Sequence, residues 1–404
     1  MESMQSFTIH NLRIRRDFIF NVDTKILFGK DQMKNLASEI KKYGSRVLLA
    51  YGGGSIKRNG LYDEIIKIFE ENNIFYKELS GIEPNPRVES AREGVKIVKE
   101  NKLDFILAVG GGSVIDLSKL VAGAVFIDGD PWDIVIRKEK INKALPIGTI
   151  LTLAATGSEM DKGGVITNPE TTQKLAFGSE YTLPKFSILN PEVTYSVNAK
   201  HTAAGVADIM SHTMENYFTL DDGAYMQNKL SEGILKTCIH YGPIAMEEPE
   251  NYDARANIMW ASTWAINGLL STGKETPWSV HPMEHELSAF YDITHGIGLA
   301  ILTPRFLNHI LSDETVDMIR AFGINVFGIK ETENKFNDAK RAISALHMFF
   351  EQDMMIPMTL GEVGIDDEKL EEMADRAAKH AGGSIKGVVE LKKEDILEIY
   401  KASL

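Results

Sequence analysis

Four residues that commonly bind metals, Asp208, His212, His281 and His295, lie in two separate stretches of the chain. Asp208 and His212 are four positions apart, so on a helix both side chains can reach the same atom. His281 and His295 come from the second stretch. Three imidazoles and one carboxylate suit a borderline divalent ion such as Fe(II) or Zn(II). Together they predict a metal site, which is catalytic if one coordination position stays open.

His285 lies one helical turn after His281, and it could be a metal ligand, a residue that orients a ligand, or a proton relay. We expect one of the last two roles, because Asp208 and the other three histidines already leave the open position that a catalyst needs. A rival interpretation exists, since His281, Glu284 and His285 fit the H-x-x-E-H pattern of inverted zinc peptidases. That short pattern is easily met by chance and leaves Asp208 without a role.

Two identical glycine turns, Gly110-Gly111-Gly112-Ser113 and Gly52-Gly53-Gly54-Ser55, each follow a short apolar run. Glycines let a phosphate approach the backbone, and the N–H groups at the start of the next helix attract an anion. At the first of these turns, Ser113 adds a hydroxyl, and Asp116 could order the helix or contact a ribose. The alternative is a tight turn that serves packing alone.

The turn at Gly52–Ser55 bears on the choice of cofactor. Sites that prefer NAD place an acidic residue at the end of an early strand, where it holds the ribose 2′-hydroxyl. Here that place offers glycine N–H groups and the Ser55 hydroxyl, with Lys57 and Arg58 just beyond. Such groups can accept a 2′-phosphate, so we predict NADP(H) over NAD(H). The alternative for the basic pair is a solvated helix start.

The elements that must position these residues fall into two halves. In the first, apolar runs such as 46–51 and 104–109 alternate with helical patterns, which predicts a parallel sheet covered by helices. An antiparallel excursion is expected between about 145 and 188. From about Asn198 the periodicity is helical. We therefore predict an α/β N-terminal domain with a Rossmann-like parallel sheet, residues 1–190, and an all-α C-terminal metal-binding domain, residues 191–404, joined at Asn190-Pro191.

Helix starts near the predicted ligands can also be read from the sequence. Thr202 is a plausible N-cap for the helix with Asp208 and His212. Pro282 fits the first position of a helix, which would place His281 at its cap. Thr294 can cap the next helix, with His295 in its first turn. Gly205, one turn before Asp208, would let another backbone or the substrate come close.

Composition narrows the class of protein. The chain has 404 residues and a net charge of −13, which argues against nucleic acid or an anionic membrane as the main partner. The single cysteine, Cys238, excludes a disulfide within the chain and fits a reducing compartment. Residues 1–7 lack the pattern of a signal peptide, and no apolar run has the length of a membrane span. We expect a cytoplasmic protein, with a homodimer as the default assembly.

Two long segments, 190–217 and 281–300, carry a resemblance to the iron-containing, or group III, alcohol dehydrogenases, most closely to the butanol dehydrogenase and aldehyde reductase branch. The resemblance implies that Asp208, His212, His281 and His295 bind the metal and that His285 matches a further histidine beside it. It also implies a nucleotide site formed by Gly52, Ser55, Asn85, Gly111, Gly112, Ser113, Asp116, Thr152, Thr156 and Lys174. The chain departs from the family pattern at Pro277-Trp278, Asp161-Lys162 and Asn190-Pro191, and we expect Pro277 and Asp161 to affect the shape of the substrate pocket.

These observations lead to a hypothesis of function: reversible, NADP(H)-dependent reduction of a small aldehyde such as butanal to its primary alcohol. The metal would polarise the carbonyl oxygen, the cofactor would carry the hydride, and His285 would be the proton relay. Three alternatives stay open. They are a glycerol or polyol dehydrogenase on the same scaffold, a lyase of the dehydroquinate-synthase type, and a protein without catalytic function.

Overall fold

The computed structural model describes residues 17–219, 223–276 and 278–404. The segment 1–7, from which the absence of a signal peptide was predicted, and Pro277 lie outside the described residues. The strands are β1 Lys25–Phe28, β2 Arg46–Tyr51, β3 Phe75–Leu79, β4 Phe105–Gly110, β5 Ile147–Leu151, β6 Gly163–Asn168, β7 Gln173–Gly178 and β8 Phe186–Leu189. The helices of the first half are α1 Leu36–Ile40, α2 Ser55–Arg58, α3 Leu61–Glu71, α4 Val88–Asn101, α5 Gly112–Ala124 and α6 Pro131–Val135.

A six-stranded sheet in the order β1-β8-β5-β4-β2-β3 forms the centre of the first half, and its neighbouring strands are parallel. Along β2, Leu49 faces a core with Phe69 of α3, whereas Leu48 faces a core with Leu117 of α5. Both faces of the strand are therefore buried, which explains its continuous apolar sequence. The predicted α/β domain with a Rossmann-like parallel sheet is confirmed.

The prediction of an antiparallel excursion over 145–188 was only partly right. The antiparallel part is the β6–β7 hairpin alone, in which Gly163 pairs with Gly178 and Asn168 with Gln173. β5 and β8 instead join the parallel sheet next to each other. Both of these strands are buried along their whole length, as inner strands of a parallel sheet must be.

The second half is mostly helical. Its helices are α7 Ala199–Tyr217, α8 Tyr225–Glu247, α9 Tyr252–Ala265, α10 Val280–Tyr291, α11 His295–His309, α12 Val316–Phe327, α13 Lys335–Met348, α14 Leu370–His380 and α15 Lys393–Lys401. A single antiparallel bridge, Ile385 to Leu391, is the only strand-like pairing recorded within this half of the described chain. The side chains of these helices share one apolar core, in which Cys238 is buried. Among the described helices, none has both the length and the apolar character needed to cross a membrane.

The junction between the halves is short. β8 ends at Leu189, the side chain of Asn190 caps a 3₁₀ turn over Pro191–Thr194, and α7 begins at Ala199. The division into domains at residue 190 remains a prediction.

Two predicted helix starts were wrong. α7 begins before Thr202, because the side chain of Asn198 accepts a hydrogen bond from the N–H of His201 and caps the helix. α10 begins at Val280, so Pro282 lies inside the first turn and not at its first position. Thr294 is the N-cap of α11 as predicted, although its hydroxyl makes no capping hydrogen bond.

Candidate metal and nucleotide site

A cavity of about 690 Å³ lies between the sheet domain and the helices of the second half. From the first half it is lined by predicted nucleotide residues, Asn85, Ser113, Asp116, Thr156 and Lys174, and from the second half by His212, Trp278, His281, His285 and His295. The structure therefore brings residues from both predicted sites to one cleft.

The predicted metal ligands converge at the inner end of this cleft. Ligand atoms of Asp208, His281 and His295 all lie within 4.8 Å of one another. The Nε2 atoms of His212 and His295 lie 3.6 Å and 3.8 Å from Asp208 Oδ1. Ligands about 2.1 Å from a tetrahedral metal are about 3.5 Å apart, so His212 and His295 are close to coordination spacing from Asp208.

The polar atoms at this point fit a cation. Asp208 Oδ1 and His281 Nε2 are buried and have no hydrogen-bond partner among the described residues. Buried polar atoms normally have a hydrogen-bond partner. The unpaired carboxylate oxygen and the unpaired imidazole nitrogen are therefore both available to bind a cation. Burial also lowers the pKa values of His212 and His295 well below the ordinary range, which keeps both imidazoles neutral and able to bind a metal.

Two glycines allow the helices that carry the ligands to meet. A Cβ atom on Gly205 of α7 would lie 2.4 Å from the carbonyl oxygen of Ala154, which confirms the close backbone approach predicted at this position. A Cβ on Gly296 of α11 would lie 1.9 Å from the carbonyl oxygen of Ala204 on α7. The crossing of α7 and α11 therefore requires glycine beside His295, and it holds His295 near Asp208.

Two buried glutamates behind the imidazoles were not among the predicted site residues. Glu215 accepts hydrogen bonds from the N–H groups of Ser279, Val280 and His281 and lies 3.2 Å from His281 Nδ1. It thereby caps α10 in place of the N-cap side chain. The only sequence signal for this role is the position of Glu215, three residues after His212 and on the same face of α7.

Glu284 is the second of these glutamates, and its carboxylate contacts Nδ1 of His295 and the hydroxyl of Ser288. The sequence marked Glu284 only as the base of the peptidase alternative. With these contacts the carboxylate is already engaged and does not face the cleft as a free base.

Lys174 reaches the metal residues from the opposite domain. Its Nζ lies 3.4 Å from His295 Nδ1 and 3.5 Å from Glu284 Oε2, and the side chain is buried. The structure thus places Lys174 between the predicted metal and nucleotide sites and not at either glycine turn. Asn85 also bridges the domains, since its amide donates to Asp292 Oδ1 at 2.8 Å, three residues before His295.

The two glycine turns are neighbours because β2 and β4 pair in parallel and both end at the same edge of the sheet. Gly54 adopts the left-handed conformation, with φ 93°, between β2 and α2. α5 begins at Gly112, directly after β4, and a Cβ there would lie 2.4 Å from Thr156. Thr152 follows β5, and its N–H donates to the carbonyl of Gly110. The two glycine turns, Thr152 and Thr156 therefore lie together at one edge of the sheet, whereas Asn85 and Lys174 reach the second half.

Asp116 belongs to a buried network. Its carboxylate accepts hydrogen bonds from Ser158 Oγ at 2.6 Å and from the N–H of Val165 at 2.9 Å. Lys119, whose side chain is fully buried, donates to Ser158 and to the carbonyl of Gly163. Burial raises the pKa of Asp116, and Lys119 opposes that shift. Asp116 therefore joins α5 to the β6 strand, a tertiary role that the sequence pattern alone did not reveal.

His285 and Trp278 line the cleft on the side of the predicted ligands. The rings of His285 and His295 are 5.7 Å apart, and burial lowers the pKa of His285 well below the ordinary range. Trp278 packs edge-on against His281 at 4.7 Å. Asp161, one of the departures from the family pattern, also lines the cavity, so it can affect the shape of the pocket as expected.

Comparison with known proteins gives consistent matches over most of the chain. Residues 23–191 match the model of the iron-containing alcohol dehydrogenases, and residues 202–404 match the C-terminal model of the Fe-containing alcohol dehydrogenase family. The chain is 54% identical to NADH-dependent butanol dehydrogenase A of Clostridium acetobutylicum, covering 96% of this chain and 99% of that protein. It is 39% identical to the NADPH-dependent aldehyde reductase YqhD of Escherichia coli, covering 90% and 93%. Among solved structures, NADH-dependent butanol dehydrogenase A of Thermotoga maritima superposes with a TM-score of 0.92 at 34% identity, covering 97% of this chain and 99% of that one.

Proposed function

The chain belongs to the iron-containing alcohol dehydrogenase family, and on that premise we propose that it interconverts small primary alcohols and aldehydes, such as butanol and butanal, with NADP(H). Membership makes it a metal-containing alcohol dehydrogenase or aldehyde reductase that uses a nicotinamide cofactor. The substrate, the form of the cofactor and the identity of the metal are the parts that we propose.

The main observation behind the proposal is that residues of the predicted metal and nucleotide sites line one cleft. Ser113 and Thr156, at the edge of the parallel sheet, line the same cavity as His281 and His295. A cofactor whose phosphates lie at the glycine turns could therefore extend its nicotinamide toward the metal ligands. Hydride transfer needs that proximity between the cofactor and the substrate carbon.

We assign Asp208, His212, His281 and His295 as the metal ligands, with Fe(II) or Zn(II) as the ion. Bound there, the ion would supply a Lewis acid for the substrate oxygen, while the nicotinamide would supply or accept the hydride. His285, at the wall of the same cleft, is our candidate to pass the proton between the substrate oxygen and water. In its neutral imidazole one nitrogen can accept a proton while the other carries the N–H that can donate one.

The walls of the cleft favour an alkyl substrate. Leu175, Phe177, Ile266 and Trp278 line it, and their side chains can pack against a short hydrocarbon chain while displacing water. A polyol would bring extra hydroxyls to these apolar walls, where lost hydrogen bonds to water are costly. The glycerol dehydrogenase alternative is therefore less favoured. Family membership leaves the peptidase interpretation without support.

For the cofactor we propose NADP(H) over NAD(H). β2 ends in Tyr51 and glycines, without an acidic residue at the position that would repel a 2′-phosphate. The guanidinium of Arg58 lies next to Gly54, 3.8 Å from where a Cβ would stand on that glycine. The names of the relatives include both forms, since the Clostridium enzyme is NADH-dependent and the Escherichia enzyme is NADPH-dependent. The positive charge of Arg58 beside Gly54 supports NADP(H), which carries the 2′-phosphate.

The absorbance of reduced nicotinamide tests this proposal directly. The purified protein is assayed with butanal and with either NADPH or NADH, and in the reverse direction with butanol and with glycerol. We expect butanal reduction with a higher kcat/KM for NADPH than for NADH, and oxidation of butanol in preference to glycerol. Faster turnover of glycerol would favour the polyol alternative, and a preference for NADH would contradict the cofactor assignment.

We also keep the homodimer and the cytoplasm as proposals. The homodimer is the commonest assembly of soluble enzymes of this size, and a solution mass about twice the 45.0 kDa of one chain would support it. The cytoplasm is favoured because the only cysteine, Cys238, is free and buried, as is common in reducing compartments.

A further inference from the structure

We propose that Glu284 is a positioning residue that fixes the His295 imidazole for metal binding, with its charge offset by Lys174 from the opposite domain. This inference rests on the proposed metal site. Glu284 itself is not among the four assigned ligands.

The first support is the geometry of the contact. Glu284 Oε2 is in hydrogen-bond contact with His295 Nδ1, and the opposite nitrogen, Nε2, faces Asp208 Oδ1 at 3.8 Å. A carboxylate behind one ring nitrogen fixes the tautomer and the orientation of the ring, so that the other nitrogen presents its lone pair to the metal. Glu284 therefore has the position from which it can hold His295 in its binding orientation.

The second support is that Glu284 is itself held rigidly. Its side chain is fully buried, and Oε1 accepts a hydrogen bond from Ser288 Oγ, one helical turn further along α10. A Cβ on Gly298 of α11 would lie 2.9 Å from Glu284 Cγ, so the absence of a side chain at Gly298 leaves the room that the glutamate occupies. A carboxylate confined in this way loses little further freedom when a metal binds.

The third support is Lys174. A buried carboxylate is costly without a positive partner, and Lys174 Nζ lies 3.5 Å from Glu284 Oε2. Lys174 comes from β7, whereas Glu284 comes from α10, so the pair joins the two domains at the metal site. A second potential cation site, formed by Glu284, His285 and His295, lies here as well. The ammonium of Lys174 lies against Glu284 and the Nδ1 side of His295, so it supplies the positive charge for that group, and the Nε2 side of His295 still faces Asp208 and the proposed metal.

The effect on metal affinity can be measured apart from activity. Chelator-treated wild type, Glu284→Gln and Glu284→Leu are titrated with Zn(II) in competition with a chromophoric chelator, and their Co(II) forms are compared by visible absorption. We expect the Leu variant to bind Zn(II) about 10- to 100-fold more weakly than wild type, because the ring loses its hydrogen bond. The Gln variant keeps an acceptor for Nδ1–H and should recover part of that loss. Both variants should change the Co(II) absorption bands.

The matched control is Glu232→Gln. Glu232 is a buried carboxylate in the same helical half, paired with Lys229 and Tyr217, and it has no contact with the ligands. Its variant should bind Zn(II) as wild type does, even if it is less stable.

The inference is overturned if folded Glu284→Gln and Glu284→Leu bind Zn(II) within twofold of wild type with an unchanged Co(II) spectrum. If Glu284→Leu does not fold, the Zn(II) affinity and the Co(II) spectrum of Glu284→Gln alone test the inference. Wild type that binds no metal would instead overturn the proposed metal site.

Discussion

Asp208 is a buried carboxylate whose charge is unfavourable unless a cation lies beside it. Burial raises its pKa from 3.8 to about 7, although His281 opposes the shift. Without metal, the folded state therefore keeps a proton that the unfolded state has already lost between these two pH values. Asp208 therefore lowers the stability of the metal-free protein as the pH rises from about 4 to above 7.

The substitution Asp208→Asn should reveal this cost. At pH 8 the chelator-treated variant should be more stable than chelator-treated wild type, by up to about 4 kcal/mol, because the neutral amide avoids the buried charge. The difference should vanish near pH 4. With Zn(II) present the order should reverse, since the variant loses a ligand. Thermal unfolding at the two pH values measures this, and equal melting temperatures at pH 8 without metal would contradict it.

Arg58 and Lys57 differ in their surroundings, although they are adjacent in the sequence. Lys57 Nζ lies 3.7 Å from Glu78 and 4.4 Å from the centre of the Tyr62 ring, so its charge is already partly satisfied. Arg58 lies beside Gly54 at the predicted phosphate position. We expect Arg58 to provide more of the binding energy for a 2′-phosphate.

The Arg58→Ala substitution should raise the KM for NADPH about tenfold or more, because a hydrogen bond to the charged 2′-phosphate is lost. The KM for NADH should stay nearly unchanged, because NADH lacks that phosphate. Lys57→Ala is the matched comparison and should have a smaller effect on the KM for NADPH. Steady-state kinetics with both cofactors provide the test. A similar rise in both KM values after Arg58→Ala would show that the residue does not distinguish the 2′-phosphate.

At the scale of secondary-structure elements, the crossing of α7 and α11 depends on the missing side chain of Gly296. A methyl group there would meet the carbonyl oxygen of Ala204, and backbone cannot move aside as a flexible side chain can. The residue adjacent to this contact is the proposed ligand His295. Stability and metal binding are thus coupled at one helix crossing.

The Gly296→Ala substitution should lower the free energy of unfolding by about 1–3 kcal/mol and weaken metal binding. Its control is Gly233→Ala in α8, where a Cβ would contact nothing within 4 Å. That variant should gain about 0.5–1 kcal/mol, because alanine loses less backbone entropy in a helix. Urea unfolding of both proteins compares them, and equal stabilities would refute the proposed role of the crossing.

Features set by residues close together in the sequence were predicted well, and features set by contacts between distant segments were not. β2 and β4 were predicted well, because strands buried on both faces have continuous apolar runs that end in glycine turns. The N-cap of α7 was assigned to Thr202 in place of Asn198, because both residue types are favoured N-caps and the sequence does not show which side chain accepts the hydrogen bond from the helix. Ligand types and spacing identified the four candidate metal residues. The roles of Glu215, Glu284 and Lys174 arise from contacts between distant segments, such as Lys174 with Glu284 across 110 positions, and no local pattern encodes such contacts.

At the scale of the whole molecule, the site exists only where the two halves meet. The β6–β7 hairpin carries Lys174 to α10, and Arg376 of α14 holds that hairpin by donating to the carbonyl of Thr172 and to Glu286. The net charge of −13 does not exclude an anionic cofactor, since backbone N–H groups at the glycine turns and the Arg58 guanidinium can attract its phosphates. Metal and cofactor should therefore both be required for activity.

The most direct test compares wild type with His281→Ala for metal content and for butanal reduction with NADPH. We predict about one divalent ion per chain and measurable turnover for wild type, and the loss of both in the variant, because the imidazole is one of the four proposed ligands. His309→Ala is the control, since His309 lies at the far end of α11 and pairs with Asp395; it should keep metal and turnover. Full butanal reduction by metal-free His281→Ala protein would contradict the account.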